Sequence, residues 1–165
     1  SFTTLASAPL AIGDSYQGGI IFYLDGLGGG LIAAPTNQFT QGAGAQWGCY
    51  GVLIAGADGT AIGTGAQNTI DIQAGCTASL NAAGICANLV LAGYTDWFLP
   101  SKDELNLMYQ NIGSPSGGVG SFNLGYYWSS TEYSNGLAWT QGFGNGFLVD
   151  FDKGFPFFVR AVRAF

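Results

Sequence analysis

The sequence predicts an α+β domain, because strand patterns, helix patterns and further strand patterns follow one another in separate blocks. Short apolar runs rich in β-branched and aromatic residues stand near the beginning and the end of the 165 residues. Asn-Gly and Lys-Gly turns separate the later runs, which is typical of antiparallel hairpins. This length favours a single domain.

The first elements are a connector and a hairpin. Residues 1–15 are small and weakly polar and are interpreted as a connector or the end of a stalk, with the folded domain over residues 16–165. Residues 20–24 form a predicted strand, and residues 31–34 return as a second strand after a glycine-rich turn.

Helices are predicted in the middle of the chain. Residues 36–66 are read as a long ordered loop, followed by a short helix over 68–74. Apolar residues recur at three to four positions between residues 79 and 91, which predicts a second helix capped at Gly93.

Residues 96–99 are expected to form a short strand before the third helix. Ser101 followed three residues later by Glu104 is a capping box, so this helix begins there and ends near residues 111–113. The remaining strands are expected over 126–130, 138–143, 147–151 and 157–165, as one antiparallel meander.

Composition excludes several functions. No histidine is present, which excludes a Ser-His-Asp triad and any histidine-bound metal. Four basic residues cannot neutralise a phosphate backbone, so no nucleic acid partner is expected. No apolar run approaches the roughly 20 residues of a membrane span, so no membrane insertion is expected. Only 8% of the residues are charged, which favours burial of part of the surface against other copies or partners.

Three cysteines, Cys49, Cys76 and Cys86, allow at most one internal disulfide. The spacings match neither redox nor zinc motifs, and they do not decide which two cysteines pair. Buried free thiols are the alternative. The low charge together with abundant Gly, Ser, Thr and Asn favours an exported protein with one disulfide.

Four motifs, at residues 18–23, 97–105, 127–132 and 159–163, occur in an order that resembles the DUF1566 family. That family includes the C-terminal domain of the Legionella collagen-like adhesin and related domains at the tips of bacterial surface fibres. The resemblance implies a C-type-lectin-like domain, a homotrimer, an extracellular or bacterial cell-surface location, and adhesion as the function.

The basic residues depart from what the resemblance implies. The Legionella adhesin binds glycosaminoglycans, which requires exposed cations. Here Arg160 and Arg163 lie in an apolar terminal segment and are expected to pair internally, leaving two exposed cations. The expected partners of the arginines are Glu104, Glu132 and Asp25, and the expected exposed cations are Lys102 and Lys153. Sulfated polyanions are therefore not expected as ligands.

The candidate ligand site lies in the last strands and their turns. Flat aromatic faces together with amides and carboxylates suit sugar hydroxyls, and loops on a rigid sheet are a usual place for recognition. The residues assigned to this site are Tyr133, Asn135, Trp139, Gln141, Asn145, Phe147, Asp150, Asp152, Lys153 and Phe155. The alternative is that the aromatic side chains fill the core and the Asn-Gly pairs only turn the chain.

Acidic residues suggest three weaker sites. Asp150 and Asp152 alternate along a strand and share one face, so they could bind Ca²⁺ with Asn145 or form a glycosidase pair. Lectin-type calcium motifs are missing from the sequence, and no cofactor is predicted. Lys102 to Glu104 could form a polar site, although capping of the helix and solubility are the favoured explanation.

The sequence therefore predicts a non-enzymatic adhesin or fibre-tip domain that binds a glycan or another surface molecule of a target cell. Two alternatives remain. A structural fibre cap would bury the aromatic side chains of residues 133–155, and a polysaccharide-active enzyme would hold its carboxylates in a cleft.

Overall fold

Two antiparallel sheets organise residues 8–38 and 44–165, the part of the chain that the computed structural model describes. The four-stranded sheet has the order β1-β2-β3-β7, with β1 at Ser15–Tyr16, β2 at Gly19–Leu24, β3 at Gly30–Ala33 and β7 at Val162–Ala164. The predicted α+β class and the first hairpin are confirmed.

The three-stranded sheet carries β4 at Tyr126–Glu132, β5 at Leu137–Gly142 and β6 at Leu148–Asp152, in that order. Each strand is antiparallel to the next, as the turn signals predict. The prediction that residues 157–165 complete this meander is wrong. Within this segment only Val162–Ala164 is a strand. It pairs with β3 of the four-stranded sheet, where Leu31, Ile32 and Ala33 form the edge next to β2 that is open to a further strand.

Between β3 and β4, the described residues form three α-helices: α1 at Gly65–Gly75, α2 at Ala82–Ala87 and α3 at Lys102–Ile112. Helix α2 is much shorter than the prediction of residues 79–91. The side chain of Asn81 caps it by accepting a 2.8 Å hydrogen bond from the Gly84 amide. Leu80 has a φ of 60°, outside helical geometry, so the helix cannot extend towards residue 79. It ends six residues before Gly93, which therefore does not cap it.

The capping box of α3 is confirmed. The Glu104 amide donates to Ser101 Oγ at 3.3 Å, and the Ser101 amide donates to Glu104 Oε2 at 2.7 Å. The strand predicted over residues 96–99 is reduced to a single bridge between Phe98 and Val162. The prediction of a continuous strand is wrong there, because the Leu99 amide donates to Thr69 Oγ1 of α1 at 3.0 Å and not to a neighbouring strand.

Two tryptophans tie the loop before α1 to the three-stranded sheet. Trp47 and Trp128 are both fully buried. The Trp47 indole donates to the Ser129 carbonyl at 2.9 Å, and the Trp128 indole donates to the Ala45 carbonyl at the same distance. Each indole thus buries its ring while its N–H remains satisfied, which is the usual condition for a core tryptophan. The loop predicted over residues 36–66 is ordered where it is described, and its residues 39–43 lie outside the described part.

The disulfide joins Cys49 to Cys76. It fastens the same loop to the residue that follows α1, while Cys86 is a free, buried thiol in α2. The sequence left this pairing open. The assignment of residues 1–15 to a connector stays a prediction. Residues 1–7 lie outside the described part, and Ser15 already belongs to β1.

Candidate functional site

A buried ion pair supports one end of the three-stranded sheet. Lys153 follows β6 and Glu132 ends β4, and the ammonium group of Lys153 donates to the Glu132 carboxylate. The side chains are 0% and 3% exposed. The prediction that Lys153 is an exposed cation is wrong, because its aliphatic stem passes into the core and its ammonium group lies 4.5 Å from the Trp47 ring.

The same ion pair holds a neighbouring loop in place. Lys153 Nζ donates to the Val52 carbonyl at 2.9 Å, and the Ile54 amide donates to the Glu132 carboxylate at 3.0 Å. The loop also receives the disulfide at Cys49. Its side chains nevertheless point outwards. We call residues 50–53 the outer loop, and its exposed side chains are Tyr50, Val52 and Leu53.

The outer loop lies against the turn between β4 and β5. The Gly51 amide donates to the Asn135 carbonyl at 2.9 Å, and the Tyr50 ring is beside Gly136. The turn is closed by the amides of Tyr133 and Ser134, which both donate to the Leu137 carbonyl at 3.0 Å. Two segments that are about 80 residues apart therefore form one surface.

An aromatic pair emerges next to this turn. Tyr133 and Trp139 have ring centroids 5.5 Å apart and an interplanar angle of 86°, an edge-to-face arrangement. Tyr133 is 59% exposed and Trp139 is half-buried. Asp150 lies directly opposite Trp139 on β6, so both side chains share one face of the sheet.

Helix α3 places a lysine next to Tyr133, Trp139 and Asp150. Its first residue, Lys102, places its ammonium group 3.9 Å from the centroid of the Trp139 ring. The Lys102 amide donates to Thr131 Oγ1 on β4 at 2.9 Å, which fixes the start of the helix against the sheet. We call Lys102, Tyr133, Trp139 and Asp150 the aromatic site.

The structure divides the ten residues that the sequence assigned to one site. Five lie towards the β4–β5 turn on strands or at the turn itself: Tyr133, Asn135, Trp139, Asp150 and Asp152. Gln141, Asn145 and Phe147 lie at the opposite end, around the β5–β6 turn. The Phe155 ring packs with those of Phe151 and Phe157, on the face opposite Asp150. Lys153 is inside the protein.

At the β5–β6 turn the polar side chains satisfy the backbone. Gln141 is fully buried, and its amide group donates to the Gly146 carbonyl at 2.9 Å. Asn145 Oδ1 accepts from the Phe147 amide at 3.0 Å. These contacts build the turn, whereas Phe147 itself is 62% exposed.

The acidic residues at the start of α3 have separate roles. Glu104 is fully buried and accepts hydrogen bonds from the amides of Ser101 and Gly63, at 2.7 and 2.8 Å. Burial raises the pKa of Glu104 above its usual range, against the lowering effect of these bonds. Glu104 thus serves the cap, while Asp103 faces solvent.

The two arginines are used internally, but with other partners than predicted. Arg160 is bound by the Asn37 side chain and by the carbonyls of Ala34, Gly120 and Ser121, with no carboxylate. Burial lowers the pKa of Arg160 to about 10, so the guanidinium stays charged at neutral pH. Arg163 pairs with Asp96, because the partial bridge at Phe98 brings these two segments together. Glu104, Glu132 and Asp25 are therefore not the partners of either arginine.

Tyr50 is the residue of this surface that sequence reasoning missed. It lies in a loop rich in glycine and alanine, and its only local signal is its place beside Cys49. Its proximity to Asn135 depends on the disulfide and on the buried ion pair, which no local pattern encodes.

Neither a metal cluster nor a membrane helix was found in residues 8–38 and 44–165. This part of the chain holds no group of three or more Cys, Asp or Glu side chains suited to a metal ion. Within the same ranges, the helices are all too short or too polar to cross a bilayer.

The family model of the Lcl C-terminal domain matches residues 43–163, about three quarters of the chain. The match covers α1 to α3, the whole three-stranded sheet, the outer loop and the aromatic site. No curated protein matches the chain.

Proposed function

Because the chain belongs to the Lcl C-terminal domain family, which is adhesin-associated and non-enzymatic, we propose that it binds a surface glycan through the aromatic site. The target is a glycan or another surface molecule of a target cell. The protein acts as an extracellular recognition domain on a bacterial cell surface.

The exposed ring of Tyr133 is the observation that carries this proposal. A ring that is 59% exposed at a turn and held edge-on by Trp139 is a rigid, flat surface on which a sugar can stack. The Asp150 side chain is on the same face of the sheet as that of Trp139. The exposed residue Asn135, two positions after Tyr133, adds a side-chain amide at the turn. These groups supply the acceptors and donors that sugar hydroxyls need.

The aromatic residues also argue against a purely structural cap. Such a cap would bury them, but Tyr133, Phe147 and Phe155 are all more than half exposed. An enzyme would need its carboxylates in a cleft. The cavity of about 320 Å³ near α2 is lined by residues such as Gln73, Asn81 and Asn88, and neither Asp150 nor Asp152 contributes to it.

Further features of the proposal come from the resemblance. We expect a C-type-lectin-like topology and a homotrimer at the end of a stalk. Three copies of a weak site on one stalk would raise the avidity without any new contact. Light scattering of the purified protein tests the assembly, and a single-chain mass at micromolar concentration would exclude the trimer.

The binding proposal is tested with a glycan array, with and without Ca²⁺. Tyr133→Ala removes the exposed ring and should abolish saturable binding while the thermal midpoint stays close to that of the wild type. Phe147→Ala is the matched control, since Phe147 is equally exposed but lies at the far end of the sheet. Equal loss in both variants, or no binding by the folded wild type, would contradict the assignment.

A further inference from the structure

All four cations of the chain lie over aromatic rings. Lys102 is over Trp139 and Lys153 over Trp47, with the ammonium nitrogen 3.9 and 4.5 Å from the ring centroids. The guanidinium carbons of Arg160 and Arg163 are 4.1 and 3.7 Å from the rings of Phe122 and Tyr94. These distances are within the range of cation–π attraction. The chain has no other Lys or Arg and no His.

Three of these cations are also hidden from solvent. Lys153, Arg160 and Arg163 are at most 9% exposed, and each has hydrogen-bond partners inside the fold. Lys102 is the one cation that reaches the surface, and within the aromatic site its ammonium group lies over the Trp139 ring. Three of the four cations are therefore unavailable to an anionic ligand.

The carboxylates have the opposite distribution. Both glutamates are buried, whereas none of the eight aspartates is. Within the described residues, Asp96 is the only aspartate in an ion pair. The accessible charge is thus almost entirely negative. Part of it lies in the aromatic site, at Asp150, and part lies close to that site, at Asp103 and Asp152.

Lys102 shows what the aromatic site accepts. Its ammonium group lies on the Trp139 ring, and Asp150 is opposite that ring on the neighbouring strand. A ring face beside a carboxylate is a favourable environment for an alkylammonium ion. Among residues 8–38 and 44–165 no carboxylate lies within 4.0 Å of the Lys102 ammonium group, so displacing that group breaks no ion pair among them.

We infer that the aromatic site recognises glycans with free amino groups, that is, hexosamine units whose amine is protonated and not acetylated. In this binding mode the sugar ring stacks on Tyr133, and its ammonium group replaces that of Lys102 on the Trp139 ring, on the face of the sheet that Asp150 shares. This inference rests on the proposed function and gives it a substrate class. Charge complementarity with the acidic surface favours the cationic sugar over neutral ones and disfavours sulfated chains.

The test compares ligands that differ only in the charge of the amine. Calorimetry of the native protein is performed with oligomers of glucosamine, with N-acetylglucosamine oligomers of the same length, and with heparin fragments. We expect the free-amine oligomer to bind at least about tenfold more tightly than the acetylated one, because acetylation removes one hydrogen bond made by a charged group. The preference should shrink as salt is added.

Two variants locate the effect. Asp150→Asn should weaken binding of the glucosamine oligomer about tenfold or more and leave that of the acetylated oligomer nearly unchanged. Asp14→Asn is the control, since Asp14 carries the same charge but stands beside β1 in the other sheet. Lys102→Met should strengthen binding of the glucosamine oligomer, because the internal competitor is gone.

The outcomes separate this inference from the proposed function. Equal or tighter binding of the acetylated oligomer would overturn the amine preference and leave a lectin. If Lys102→Met no longer binds either oligomer, Lys102 is itself a ligand contact, and its role as a competitor is overturned. If Asp14→Asn and Asp150→Asn weaken binding alike, the attraction is general and not located at the site. No binding of any glycan by the folded protein would overturn the proposed function itself.

Discussion

The ammonium group of Lys153 and the carboxylate of Glu132 form a buried ion pair whose remaining hydrogen bonds hold the outer loop. Lys153 binds the Val52 carbonyl, and Glu132 binds the Ile54 amide. Both ions are therefore satisfied by a partner and by the backbone, which is what a buried pair needs to offset its desolvation. The pair also links the end of the sheet to the surface next to the aromatic site.

Removing one ion of this pair should destabilise the protein strongly. Lys153→Met leaves the Glu132 carboxylate buried without a cation, and we expect a loss of about 3–5 kcal/mol in the free energy of unfolding. The double variant Lys153→Met, Glu132→Gln removes both charges and should recover part of that loss. Urea denaturation of the three proteins measures both quantities, and an effect below 1 kcal/mol for the single variant would show that the pair is solvated.

The disulfide should contribute comparably. Cys49 and Cys76 are 27 residues apart, and closing a loop of that length stabilises the folded state by about 3–4 kcal/mol in the chain-entropy model. Cys49→Ser with Cys76→Ser should therefore lower the thermal midpoint and release the outer loop from α1. Reduction of the wild-type protein is the matched control and should give the same shift. An unchanged midpoint in both would mean that the two cysteines are not paired.

Cys86 should be chemically silent in the native protein. Burial raises the pKa of its thiol, and the side chain has no exposed surface, so neither the thiolate nor access for a reagent is present. A thiol reagent added without reductant should label no cysteine in the native state and one after denaturation. Rapid labelling of the native protein would contradict the pairing of Cys49 with Cys76 or the burial of Cys86.

Asp96 should make stability depend on acid. The hydrogen bond from Arg163 lowers the pKa of Asp96 below its ordinary 3.8, so the ionised form is the one that folding favours. Its contribution is present above pH 3.8 and is lost as the pH falls through the lower pKa of the folded state. The Asp96 side chain is 60% exposed, so we expect less than about 1 kcal/mol.

The variant Asp96→Asn isolates this effect. Its stability should be below that of the wild type at neutral pH and equal to it in strong acid, where the wild-type carboxyl is protonated. Asp14→Asn, without an arginine partner, is the control for a general change in charge. If the difference in stability between Asp96→Asn and the wild type persists unchanged at low pH, the charge of the Asp96 carboxylate is not what stabilises the fold.

Elements held together by neighbours in sequence could be predicted from the sequence. The capping box of Ser101 and Glu104 involves residues three apart, and the hairpin turns join adjacent strands. The beginning of α2 could not be predicted, because Leu80 leaves helical geometry although its apolar spacing fits the helical pattern. The pairing of β7 with β3 could not be predicted either, since it joins residues about 130 positions apart.

The candidate site divides along the same line. The sequence pointed to Tyr133, Trp139 and Asp150 because aromatic side chains, amides and carboxylates flank the turns of the last strands, and such a composition is a local property. It could not show that Tyr50 comes beside Gly136, or that Gln141 and Phe147 belong to the other end of the sheet. Those placements depend on strand register and on the disulfide.

The residue inventory could be read directly from the sequence: no histidine, four cations, ten carboxylates and the family motifs. That inventory limits the chemistry available to the protein. Which charges remain accessible depends on the folded structure, because burial is set by what packs around a side chain and not by its position in the chain. The sequence predicts that Lys153 and Lys102 are both exposed cations. The fold buries the first against Glu132 and places the second on Trp139 at the surface.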